Sequence, residues 1–279
     1  MIELNTVSRT ALPSGRASRF FVRKAVIAVC PATADIVDSS ATESVPKPEN
    51  LTECPGQRGR VQVAVFDFDG TSIEGSSPVL LVRRLARSSK LRPSVVARIA
   101  LWGAAYKLRL PQSEAWVRGL VFTAFEGRPR DEVDAFLRAF YDDAIEPRFR
   151  PEAHAEMERL HREGCVVAMV SASFEPIILR AMELHPIDCQ ASTRMKVAAD
   201  GTYTCQVEGE CVEGEAKLTA LTQLCDGLYG AGAWELAHAY GDHHSDRALL
   251  RAAREAHVVS PDRPLSRTAR NERWRRLDW

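Results

Sequence analysis

Three short apolar runs in this chain each end on polar residues. VQVAVF (61–66) runs into Asp67, VVAMV (166–170) into Ser171, and LAHAY (236–240) into Gly241 and Asp242. Runs that are apolar on both alternating faces suit strands buried between two layers. Segments with apolar residues at three-to-four spacing separate them, so strand alternates with helix. That alternation sets the fold class: α/β, a Rossmann-like parallel sheet sandwiched by helices. In such a sheet, ligands bind outside the carboxyl ends of the strands. The polar residues that close these runs are therefore the first candidates for chemistry.

From about Pro78 to Leu160 the pattern is helical throughout, as in PVLLVRRLARSS, SVVARIALWGAAYKLRL, SEAWVRGLVFTAF and DEVDAFLRAFYDD. Ser or Asp stands at N-cap positions, and Pro93, Pro111 and Pro129 punctuate the run. An all-helical segment is thus inserted after the first strand. The expected organisation is a flexible N-terminal extension at 1–60, an α/β core at 61–75 and 165–279, and an inserted helical domain at 76–164. The extension mixes Ser, Thr, Pro and Gly without a sustained period, with one short strand expected at Ala25–Val29. Further on, TRMKVAADGTYTCQVEG predicts a hairpin about a two-residue Asp200-Gly201 turn. SDRALLRAAREA predicts a helix and HVVS a last short strand.

Lys+Arg and Asp+Glu both total 37, so the formal net charge is zero. A nucleic-acid binder carries a basic excess, and that class is set aside. The arginine-rich tail reads as a solvated helix face. The seven cysteines are widely spaced without a C-x-x-C, which suits plain apolar side chains in a reducing cytoplasm. IALWGAAY (99–106) is too short to span a bilayer. Arg23 and Lys24 interrupt the apolar run near the N-terminus, so a cytoplasmic chain without stable membrane insertion is expected.

Asp67, Asp69, Ser171, Lys217, Asp242 and Asp246 would meet at one sheet edge. Acids, a hydroxyl and a lysine together suit a metal and a phosphate. In this order DFDGT, SAS, a lysine and GD-x-x-SD resemble the four motifs of the haloacid dehalogenase superfamily. The resemblance is closest to its phosphoserine-phosphatase-like branch (subfamily IB) and covers roughly Val61 to Asp262. D-x-D-G-T alone is moderately specific; the ordered set of four is strong.

The resemblance implies a Mg²⁺-dependent phosphatase that hydrolyses a small phosphomonoester through an aspartyl-phosphate, with the α/β part as its HAD-like catalytic core and 76–164 as its all-helical cap. Asp67 is implied as nucleophile and Asp69 as general acid/base. Mg²⁺ is implied on the Asp67 side chain, the Asp69 carbonyl and Asp242, with Asp246 an outer ligand or an orienter. Ser171, Lys217, Gly70 and Thr71 would form the phosphate-binding set, Gly70 by letting the backbone approach and Thr71 by bonding locally to hold the loop. The partner is then a small phosphorylated metabolite; oligomeric state is left open.

Each residue also has a plain reading. Asp69-Gly70 is a common turn pair, Ser171 a strand end, Lys217 a surface lysine and Asp246 a first-turn acid. Only their joint order overrides this. Two departures from the family pattern stand out. Glu74 falls out of register with the glutamate that reads the substrate amine in phosphoserine enzymes. His243 and His244 replace small residues. Arg83, Arg84 and Arg87 suit an exposed helix face, and Trp102, Tyr106, Trp116 and Phe122 suit packing. A phosphotransferase using the same intermediate, or a silent phosphate-ligand-binding protein, remain as alternatives.

Overall fold

A computed structural model of the chain describes residues 59–87, 97, 101 and 121–279. The strand expected at Ala25–Val29, nearly all of the extension and most of the helical run at 88–120 fall outside the described residues, as do Trp102, Tyr106 and Trp116.

Strand β1 (Val61–Phe66) is followed by helix α1 (Ser77–Arg87), helical residues 121–125, α2 (Arg130–Phe140) and α3 (Pro151–Arg162). Between α2 and α3 the chain makes a π-helical turn at Tyr141–Ile145 and a 3-10 turn at Glu146–Arg148, so the helix predicted to run through Asp143 ends at Phe140. Then come β2 (Val166–Phe174), α4 (Glu175–Leu184), β3 (Cys189–Thr193) and the hairpin of β4 (Met195–Val197) and β5 (Tyr203–Val207). Helix α5 (Glu215–Tyr229), β6 (Trp234–Gly241), α6 (Arg247–Ala252), β7 (Glu255–Val259), α7 (Arg263–Glu272) and β8 (Arg275–Leu277) complete the chain.

Six strands form one parallel sheet in the order β3-β2-β1-β6-β7-β8. Two cores flank it, and the alternation of β1 explains why. Val63 and Val65 face a layer built from Leu221 and Leu224 of α5, Leu249 and Leu250 of α6, and Leu265 of α7. Ala64 and Phe66 face Ala153, Met157 and Leu160 of α3 and Ile177 and Ile178 of α4. Every residue of this set is at most 1% exposed. Burying a side chain such as Phe66 contributes about 2–3 kcal/mol. Chain order reverses at β1, which has β2 on one side and β6 on the other, and this creates the crevice where α/β sheets hold ligands.

Beyond the end of α2, the structure departs from the sequence expectations at four places. The β4–β5 loop closes over three residues, not two. Ala198 N–H donates to Thr202 O and Gly201 N–H to Ala198 O. The Asp200 carboxylate accepts from both Thr202 N–H and Thr202 Oγ1, and Gly201 takes a left-handed φ of 81°. The helix after GDHHSD stops at Ala252 rather than Ala256, because Arg254 N–H bonds Leu236 O of β6 and starts β7 early. Strands β3 and β8 were not foreseen. Both lie at sheet edges, where strands lack the continuous apolar run of the interior.

Candidate active site

Asp67 follows directly on β1, and its N–H donates to Tyr240 O of β6 at 3.0 Å. The carboxylate is thereby fixed at the carboxyl edge where the strand order reverses. Helix α5 presents Lys217 in its first turn. Its ammonium lies 2.7 Å from Asp67 Oδ1 and 2.6 Å from Asp246 Oδ1, with all three side chains buried. Asp246 is held in turn: its second oxygen accepts from His243 N–H at 3.2 Å. Asp242, just beyond β6, accepts from Thr71 Oγ1 at 3.2 Å. Thr71 thus reaches across the site instead of making the local bond expected of it.

Gly70 has φ of 76°, and a Cβ there would fall 2.1 Å from Asp242 Oδ2. A Cβ on Gly241 would fall 2.8 Å from Asp246 Oδ2. Both glycines leave room for carboxylates, which is a packing reason for their place beside acids.

Asp67, Asp242 and Asp246 offer oxygens within 4.8 Å of one another. Against one ammonium, three carboxylates leave two negative charges in a buried space. The electrostatics carry this imbalance. Burial raises the Asp67 pKa well above the usual carboxylate range; Lys217 opposes the rise, while Asp246 and Asp242 add to it. Asp242 is pushed up to about 7, by burial first and then by Asp246. Burial works against the charge on Lys217, yet Asp67 and Asp246 hold its pKa above the ordinary lysine value. An all-oxygen donor set with two surplus negative charges fits a hard divalent cation such as Mg²⁺.

Asp69 faces a different set of partners. It accepts from Ser77 N–H, from Ser77 Oγ at 3.1 Å and from Ser173 Oγ at 2.6 Å. Burial raises its pKa, and the serine bonds hold that rise in check. Ser173 and Ser77 were not singled out from sequence. The second serine of SAS was a visible signal for the first of them; Ser77 carried none. Ser171 is buried, and its Oγ accepts from Ser173 N–H at 3.0 Å, which leaves its own proton uncommitted among the described residues.

The other candidates lie as follows. Glu74 has a side chain 72% exposed, 3.9 Å from Arg150. Arg83 and Arg87 are exposed on α1, and Arg84 pairs with Asp143 at 2.8 Å. Phe122 is buried and packs edge-on against Phe174. His243 and His244 both turn their rings toward Asp262, at 3.6 and 3.3 Å.

A carboxylate cluster at the switch point of a parallel sheet defines the class: an α/β protein that gathers acids at its strand ends. Residues 64–251 match the family described as haloacid dehalogenase-like hydrolase, and the chain belongs to that family. Within it the chain is phosphoserine-phosphatase-like. It is 28% identical over 224 residues to the "Inhibition of morphological differentiation protein" of Streptomyces azureus, covering 77% of this chain and 78% of that one. It is 30% identical over 206 residues to a phosphoserine phosphatase of Halobacterium salinarum, covering 71% and 86%. The fold is shared with a crystal structure of a protein of unknown function from Bordetella pertussis, with TM-score 0.70 and 22% identity over 78% of this chain and 99% of that one. Among the described residues, no helix is long and apolar enough to cross a membrane.

Proposed function

We propose that the chain is a magnesium-dependent phosphatase acting on a small phosphomonoester through a phosphoryl group carried on Asp67. The observation that carries this reading is the buried Lys217 ammonium bridging Asp67 and Asp246. A lysine held between two carboxylates at a sheet edge, with a third beside them, suits an anion brought up against an anionic nucleophile.

Asp67, the Asp69 carbonyl and Asp242 would hold Mg²⁺, with Asp246 outside them orienting Lys217. When bound, the ion offsets the negative charge of the carboxylates and of the phosphoryl oxygens. An Asp67 oxygen attacks phosphorus, the P–O bond to the alcohol breaks, and protonated Asp69 gives its proton to the leaving oxygen. Asp69, now ionised, takes a proton from water as that water attacks phosphorus, which releases phosphate and frees Asp67. Lys217 lowers the repulsion between Asp67 and the incoming phosphoryl group. Ser171 donates its uncommitted proton to a phosphoryl oxygen. Burial favours the protonated form of Asp69 that the first half needs, and the Ser173 and Ser77 bonds favour the ionised form that the second needs.

The inserted helical segment is proposed as the cap, divided from the core at 76–164. Helix α3, although inside that range, packs on the sheet itself: Glu156 accepts from Tyr240 of β6 at 2.5 Å, and Met157 and Leu160 are buried against β1. Glu74 is exposed and engaged with Arg150, which counts against phosphoserine as the substrate.

Phosphate release should be measured across phosphoamino acids, sugar phosphates and head-group phosphates with Mg²⁺, using Asp67→Asn as control. Turnover in the wild type and its loss in the variant supports the reading. Binding of Mg²⁺ and a phosphate analogue without hydrolysis of any member would instead favour a silent binding protein. Product analysis with an added alcohol separates transfer to water from transfer to an acceptor.

A further inference from the structure

On the face of the sheet that bears Phe66, β6 and β7 place two histidines side by side. His238 of β6 is 8% exposed and His257 of β7 is 3% exposed. Glu255 opens β7 with a side chain 55% exposed. Neither histidine has a part in the phosphatase chemistry.

Three atoms converge here. His238 Nδ1 lies 3.4 Å from His257 Nε2 and 3.7 Å from Glu255 Oε2, and His257 Nε2 lies 4.0 Å from the same oxygen. A point equidistant from the three lies about 2.1 Å from each, the length of a zinc–nitrogen or zinc–carboxylate bond. We propose that His238, His257 and Glu255 form a second, non-catalytic metal site that takes a divalent transition metal of the zinc class.

Imidazole nitrogen selects zinc, nickel or copper over magnesium, so the site and the all-oxygen aspartate cluster divide the metals by chemistry. Ligating histidines must be neutral. Burial lowers the pKa of both rings, that of His257 to about 4, so no proton need be displaced at neutral pH. Among the described residues, Nδ1 of His257 has no hydrogen-bond partner, which leaves Nε2, facing His238, to select its tautomer. Tyr240 stacks on the His257 ring at 4.5 Å and fixes its plane.

Arg254 and Arg159 bear on the cluster with positive charge and weaken its pull on a cation. Both are already engaged, Arg254 with Glu235 at 2.5 Å and Arg159 with Glu156 at 2.8 Å. Exposed Glu255 leaves a solvent-side position for a water ligand. A metal here would tie β6 to β7 on the face bearing Tyr240.

Zinc binding should be measured on the full chain by equilibrium dialysis under saturating Mg²⁺, with thermal unfolding in parallel. Co²⁺ substitution adds a spectroscopic signature of nitrogen ligands. The expected result is one tight zinc per chain and a rise in Tm. Glu255→Gln and His238→Asn should each weaken that binding tenfold or more and abolish the Tm rise, while Mg²⁺-dependent turnover in Glu255→Gln stays within about twofold of wild type. Because Glu255 is exposed, Glu255→Gln is the variant that keeps the fold. No zinc binding at all would overturn the proposal. So would binding that survives both variants, or that vanishes in His243→Asn or Asp242→Asn, since the ion would then sit on the loop histidines or the catalytic acids.

Discussion

Gly70 and Asp242 are packed so closely that a single methyl group would not fit between them. A Cβ on Gly70 would come within 2.1 Å of an Asp242 oxygen, and the residue's φ of 76° disfavours any side chain. Gly70→Ala should therefore displace Asp242 or the DFDGT loop, with turnover falling at least 100-fold and Mg²⁺ affinity with it. The check is kcat and Mg²⁺ titration on protein shown to be folded by circular dichroism.

Among the described residues, Lys217 is the only cation in contact with Asp67 and Asp246. Lys217→Met keeps the bulk and removes the charge, leaving buried carboxylates without it. Breaking a buried pair of this kind costs about 3–5 kcal/mol. Loss of turnover and a lower denaturation midpoint in metal-free buffer are expected, with part of the stability restored by Mg²⁺. Urea unfolding with and without Mg²⁺ measures both. An unchanged midpoint would mean that Lys217 does not neutralise the acids.

Ser173 acts on catalysis through Asp69. Its hydroxyl donates to the Asp69 carboxylate and favours the ionised form. Ser173→Ala should move the Asp69 pKa further up. The ascending limb of the kcat–pH profile should shift to higher pH, with turnover at neutral pH down about tenfold and partly recovered in alkali. A uniform loss at every pH would assign Ser173 a purely structural role.

Two groups, His257 and Glu156, predict acid lability in stages. Burial lowers the His257 pKa to about 4, so the unfolded chain binds its proton first as pH falls below 6.5. His257 thus contributes stability above pH 6.5 that is lost as pH falls toward 4. Glu156 is held at about 2, chiefly by Arg159 and also by Tyr240. Its contribution is present above 4.5 and lost as pH falls toward 2. Asp242, raised to about 7, acts in the opposite sense in metal-free protein, so the measurement is made with saturating Mg²⁺ and no zinc. Tm should fall in both windows, and His257→Gln should flatten the upper one.

The three central strands and the acids at their ends are legible because each strand is buried on both faces and the chemistry falls at its end. Asp67, Lys217, Asp242 and Asp246 meet as their ordered motifs imply. Ser77 and Thr71 were harder. Ser77 serves Asp69 because the loop folds back through Gly75, whose carbonyl accepts from Gly70 N–H, and no local pattern marks that return. Thr71 bonds an acid 171 residues away, a contact set by strand order and not by spacing. Edge strand β8, with two arginines in three residues, has almost no apolar signal, because an edge strand need bury only part of itself.

The most direct measurement is chemical capture of the phosphorylated protein. Wild-type chain mixed with its best phosphomonoester and Mg²⁺, then acid-quenched in the first turnover, should carry one phosphoryl group on the peptide containing Asp67. Hydroxylamine should remove it, and Asp67→Asn should not acquire it. A phosphoryl group on any other residue, or wild-type turnover by Asp67→Asn, would contradict the assignment of Asp67 as nucleophile.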